Sequence, residues 1–205
     1  GNVTIDGGGG ITLNGSITTS AGNIDIDDAV TLDTADIILT TANGTVDFAS
    51  TVNADGAEAL TIRSGTGNVT FGGVIGGTGT LGALTINAAS DSQTGDADIA
   101  IVDIGDSDTV GAAATNIGNT STELITLSGT TFKHGAAVYT TKADDVIKLT
   151  RTAGAGNATF TLSNASLEFA GGNIKLSNGV DLVANTGNKA LTVLGVRGTS
   201  YEDVT

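Results

Sequence analysis

Cysteine, methionine, proline and tryptophan are all missing from this 205-residue chain, and only 3% of it is aromatic. Without cysteine there is no disulfide framework; a long stacked fold needs none, so the redox compartment stays open. With so few aromatics, a core has to be built from Val, Ile, Leu and five Phe, in layers thin enough for aliphatic side chains to fill. Lacking methionine, the chain has no start residue of its own, and it shows neither a signal peptide nor an apolar run long enough to span a bilayer. We therefore expect a processed product or a segment of a longer protein, with no membrane insertion. Basic residues are scarce as well: 8 Lys and Arg stand against 22 Asp and Glu, a formal net charge of -14. That balance argues against nucleic acid as a partner, because phosphate contacts call for a Lys/Arg surface. It favours solubility, divalent cations or basic partners.

What the chain does have is glycine, 31 residues of it, and a motif that returns. Gly1-Asn2-Val3-Thr4-Ile5 comes back as Gly22-Asn23-Ile24-Asp25-Ile26, as Gly44-Thr45-Val46-Asp47-Phe48 and as Gly67-Asn68-Val69-Thr70-Phe71, in steps of 21, 22 and 23 residues. Each copy sets two apolar residues around a polar one, the period-2 signature of a half-buried strand. Two further strand-like limbs follow in each repeat, for example Ile11-Thr12-Leu13 and Ser16-Ile17-Thr18-Thr19, with Gly, Asn, Asp and Ser at the corners between them. A near-constant period of this size marks a repeat architecture. The fold expected is all-β: a right-handed parallel β-helix (β-solenoid) with about 21–23 residues and three strands per coil. Val3, Ile24, Val46 and Val69 should form one inward ladder and Ile5, Ile26, Phe48 and Phe71 its neighbour, with Thr4, Asp25, Asp47 and Thr70 pointing to water.

Residues 1–88 read as regular coils, 89–155 as irregular coils with loop excursions, and 156–205 as regular coils again, all in one continuous rod. The repeat resumes at Gly156-Asn157-Ala158-Thr159-Phe160 and again at Gly172-Asn173-Ile174-Lys175-Leu176. At about 22 residues per coil the chain should make about nine turns.

Gly-Asn-Val-Thr-Phe-Gly-Gly-Val-Ile-Gly-Gly at 67–77, running into Leu84-Thr85-Ile86-Asn87, resembles the degenerate strand repeats of large bacterial surface and secreted β-solenoid proteins. Filamentous-haemagglutinin-like exoproteins and giant adhesins are examples. The resemblance covers about two thirds of the chain and is strongest at 1–88 and 156–194. It implies a secreted or cell-surface location and a role as stalk or shaft. The Asn-Pro-Asn signature of that family's secretion domain has no counterpart in a chain without proline, which leaves a shaft or fibre segment.

Candidate chemistry concentrates in the acidic stretch Asp91, Asp96, Asp98, Asp103, Asp106 and Asp108. Calcium takes six to eight oxygens, and Asp side chains on a flexible Gly/Ser loop can supply them, so these six are the candidate Ca2+ ligands. Their spacing matches no EF-hand, and no Gly-Gly-x-Gly-x-Asp nonapeptide recurs. The single histidine, His134, is expected on an exposed loop, with no other His or Cys to build a zinc site. Arg63 and Arg151, the arginines within the body of the repeat, adjoin no Asp cluster in sequence. No catalytic constellation emerges, and the chain is not expected to be an enzyme. The expected function is a structural segment of a bacterial extracellular adhesin or surface fibre. A self-assembling filament subunit, and a calcium-dependent β-helix that binds or cleaves polysaccharide, are the alternatives. Expected partners are the rest of a longer chain or further copies stacked end to end, and a glycan or host surface.

Overall fold

The computed structural model describes residues 1–151, 156–162, 166–176, 180–186 and 189–195. Across them the chain is a parallel β-solenoid, and the only helical piece among the described residues is a single 3-10 turn, Ala89–Asp91. Each coil carries three strand segments, here faces one, two and three; in the first coil they are Val3–Ile5, Ile11–Leu13 and Ile17–Thr18. Three-residue strands suit these triplets, because Val-Thr-Ile or Ile-Thr-Leu sends its two ends inward and its middle outward.

The register confirms the expected ladders. On face one Val3 lies over Ile24, Val46, Val69, Ile99, Ile125, Ile147 and Ile174 in turn. Ile5, Ile26, Phe48 and Phe71 begin the second inward column. Face two stacks Ile11, Val30, Val52, Ile75, Ile104, Phe132, Phe160 and Ala184. Face three stacks Ile17, Leu39, Ile62, Ile86, Ile117, Tyr139 and Phe169, and the strand Leu191–Gly195 adds its eighth rung. From Ile24 to Leu149 the columns are closed to water; Ile24, Val46, Leu60, Ile86 and Ile147 each show 0% exposure.

Two expectations are corrected. Among the described residues each ladder has eight rungs, where about nine turns were expected of the chain, and the corners Gly76–Thr80 and Ala88–Ala97 swell the coil from Val69 to Ile99 to 30 residues. Seven inter-rung steps of about 4.8 Å make a rod of about 34 Å. Gly156–Phe160 copies the opening motif in letters but not in place: Thr159 and Phe160 pair with Thr131 and Phe132 on face two. Face one of the last coil is Asn173–Leu176.

Aromatic residues stack between coils on all three faces. Phe48 and Phe71 stack at 4.8 Å on face one, Phe132 and Phe160 at 4.7 Å on face two, and Tyr139 and Phe169 at 5.5 Å on face three. Phe160 also meets Tyr139 and Phe169 edge-on, which ties faces two and three together across the core. Such pairs add about 0.5–1.5 kcal/mol each beyond the area they bury.

Candidate functional site

The corner from face three back to face one repeats a polar device. Thr19 Oγ1 donates to the Gly22 carbonyl and Thr41 Oγ1 to the Gly44 carbonyl, both at 2.5 Å, and Ser64 Oγ donates to the Gly67 carbonyl. All three hydroxyl residues are buried. In the fourth coil Asn87 takes over: its Nδ2 donates to Ser64 Oγ at 2.7 Å and its Oδ1 accepts from the Ser64 amide at 2.8 Å. Asn119 Nδ2 then donates to the Asn87 carbonyl at 2.8 Å, which carries the column into the fifth coil. Outside it runs a second set: Asn23 N–H donates to Asn2 Oδ1, Thr45 N–H to Asn23 Oδ1 and Asp98 N–H to Asn68 Oδ1, at 3.0–3.1 Å. The glycines are required by proximity, since a Cβ on Gly44 would stand 2.3 Å from the Gly22 carbonyl oxygen. Reading the sequence for strands alone misses this column. The Ser/Thr-x-x-Gly spacing at Thr19/Gly22, Thr41/Gly44 and Ser64/Gly67 was the available signal.

The six Asp residues proposed as calcium ligands are dispersed. Asp91 is held by Arg63 in a two-pronged pair, Nε to Oδ2 and an Nη to Oδ1, each 2.6 Å, so both its oxygens are engaged. Asp103 Oδ1 accepts from the amides of Thr130 and Thr131 at 2.7 Å, one coil on. Asp106 Oδ1 caps its own turn, accepting from the amides of Asp108 and Thr109 at 2.8 and 2.6 Å, and these bonds hold its carboxyl below the usual range. Asp98 is harder to ionise than usual, through burial first and then the charges of Asp96 and Asp145. Among the described residues no three His, Cys, Asp or Glu side chains gather in a way that could hold a metal ion.

His134 overturns the expectation of an exposed loop. It is fully buried at the inward end of face two, its Nε2 2.9 Å from Tyr139 Oη and its Nδ1 3.3 Å from the Gly135 carbonyl. Burial depresses its pKa to about 4 and pushes the Tyr139 hydroxyl up. Neutral His134 and Tyr139 satisfy each other inside the aromatic end of the core. Arg63, read in sequence as remote from any Asp cluster, reaches Asp91 because the two lie about one coil apart.

A shallow surface depression of about 510 Å³ lies along face two. Asp106, Thr131, Lys133, Arg151, Asn157 and Thr159 are among the residues lining it. Lys133 Nζ donates to the Ser107 carbonyl at 3.0 Å, which draws the turn over the strand. Hydroxyls, an amide, two cations and a carboxylate on a flat parallel sheet can hydrogen-bond a polyol chain; they form no nucleophile and base pair. The class that fold and surface define is thus a β-solenoid with polar outward rows. No protein-family model matches the chain, and neither does any curated protein or solved structure.

Proposed function

We propose that this chain is a structural segment, a stalk or shaft, of a bacterial extracellular adhesin or surface fibre. The observation that carries the reading is the continuity of the ladders: three parallel faces run through eight rungs without a break, over columns closed to water through the middle coils. Load along such a rod is shared by every inter-coil hydrogen bond and by the side-chain columns beneath. Stiffness and resistance to proteases follow, because neither end of a strand triplet can open without uncovering its neighbours. On this reading the partners are further chain or further copies continuing the rod, and a glycan or host surface is met by a tip that the rod holds away from the cell.

Negative-stain electron microscopy and limited proteolysis of the isolated chain test it. Short rods that resist protease are the expected result. Long fibres would replace the reading with a self-assembling filament subunit. Release of reducing or unsaturated sugar, dependent on calcium, would replace it with a polysaccharide-cleaving β-helix.

A further inference from the structure

The outward row of face one is graded in charge along the rod. Asp25 and Asp47 occupy its second and third rungs, and Lys148 and Lys175 its seventh and eighth. Between them lie only Thr70, Ala100 and Thr126, so the middle of the row is small and uncharged. Neighbouring like charges sit about 4.8 Å apart by rung spacing and repel. Burial, and after it the charge of Asp25, leaves Asp47 harder to ionise than usual. None of these four charged residues has an ion-pair partner among the described residues.

Turning the rod by a half-turn about an axis through Ala100, parallel to the strands, sends rung two onto rung eight, three onto seven, four onto six and five onto itself. Every charge of this row then meets its opposite, and the small residues meet one another. We propose that face one is a self-complementary docking surface, on which a second copy of this chain lies antiparallel with Asp25 against the partner's Lys175 and Asp47 against the partner's Lys148. This is the isologous geometry of a two-fold dimer. Four ion pairs form in each dimer. Against them stands one like-charge contact, because Asp98, in the row beside Ala100, comes onto its own copy. The face measures about 34 Å by 10 Å, so the buried area falls below that of a standard interface and the association is weak and salt-dependent. It is lateral, and so independent of how the rod is continued at its ends.

Sedimentation of the 205-residue chain at high concentration tests the proposal. Dimer is expected in about 20 mM NaCl, with Kd weakened about tenfold or more in about 500 mM NaCl. The all-basic D25K/D47K and all-acidic K148D/K175D variants should each be monomeric and should form a heterodimer when mixed. D98N should tighten the wild-type dimer. A monomeric wild-type chain at low salt, or variants that associate as the wild type does, or a mixture that fails to associate, overturns the proposal. Zero-length carbodiimide cross-linking of mixed isotope-labelled wild-type copies needs no variant: inter-copy links Asp25–Lys175 and Asp47–Lys148 are expected, and their absence where other inter-copy links form overturns it equally. Failure of the stalk reading would leave these outcomes unchanged.

Discussion

Gly44→Ala puts the stacking of the corner to a quantitative test. The added methyl would stand 2.3 Å from the Gly22 carbonyl oxygen, 2.7 Å from its carbon and 3.1 Å from Asn23 N, all backbone of the coil before. Reaching even the closest tolerable contact requires the two coils to part by about 0.7 Å where they are hydrogen-bonded. Overpacking of this kind costs about 1–3 kcal/mol. The displaced corner also holds the Thr41 hydroxyl bond to the Gly44 carbonyl and the Thr45 amide bond to Asn23 Oδ1. Weakening these adds about 0.5–1.5 kcal/mol each, for a total of about 2–6 kcal/mol. Gly9→Ala is the matched control: nothing lies within 4 Å of its added carbon, and the change should be neutral or stabilising by a few tenths of a kcal/mol. Urea unfolding followed by far-ultraviolet circular dichroism reads both. Hydrogen exchange should localise the Gly44→Ala damage to the second and third rungs, because each coil is coupled chiefly to its neighbours. A Gly44→Ala variant within 0.5 kcal/mol of wild type, or a Gly9→Ala variant equally damaged, would refute the close-approach argument.

Ile26→Asp should cost at least about 3 kcal/mol by placing an unpaired carboxylate at a fully buried rung, while Asp25→Asn on the outward row should stay within about 0.5 kcal/mol; denaturant melts of equal midpoint would contradict the register. His134 stays neutral in the fold down to about pH 4 but takes a proton near 6.5 once unfolded, so its contribution is intact above pH 6.5 and is lost as pH falls towards 4, by about 3 kcal/mol in all. His134→Phe should flatten that part of a stability-against-pH curve, and an unchanged slope between pH 4 and 6.5 would count against burial of the imidazole. The Arg63 and Asp91 pair is part-exposed, so a double-mutant cycle with Arg63→Ala and Asp91→Ala should give a coupling of about 1 kcal/mol or less, shrinking in about 1 M NaCl.

The ladders could be read from sequence because a three-residue strand with a polar centre admits one orientation, and copies 21–23 residues apart can only stack. Val3, Ile24, Val46 and Val69 therefore fell into register without reference to anything outside the triplets. The same economy explains the failure at Gly156–Phe160: Gly-Asn-Ala-Thr-Phe suits any face, and its face is set by the lengths of the corners before it. His134 was legible and was missed. Phe132 points inward, so period-2 alternation along Thr131–Thr140 turns Lys133 out and His134 in. The partners of the acidic stretch were not legible, for the opposite reason. Residues adjacent in the chain are carried apart by the strand Ile99–Ile104, and the partners that do hold Asp91 and Asp103 lie about one coil away in sequence.

Corner chemistry also explains how this rod tolerates long excursions. At the first three face-three corners a glycine carbonyl turns inward, where leaving it unpaired costs about 1–3 kcal/mol. The hydroxyl three residues earlier answers it, so the hydroxyl and the glycine work as a unit: one satisfies the carbonyl, the other lets the coils approach. In the fourth coil the corner lengthens through Ala88–Ala97, and a hydroxyl three residues away no longer has a glycine to reach. Asn87 meets this with a longer side chain aimed backward, bonding Ser64 through both its oxygen and its nitrogen, and Asn119 reaches back to Asn87 in the same sense. Asn87 and Asn119 thus each pin a corner to the coil before it. An excursion can then grow outward from a corner while the strand that follows still lands in register, as Ile99 does over Val69 after 30 residues.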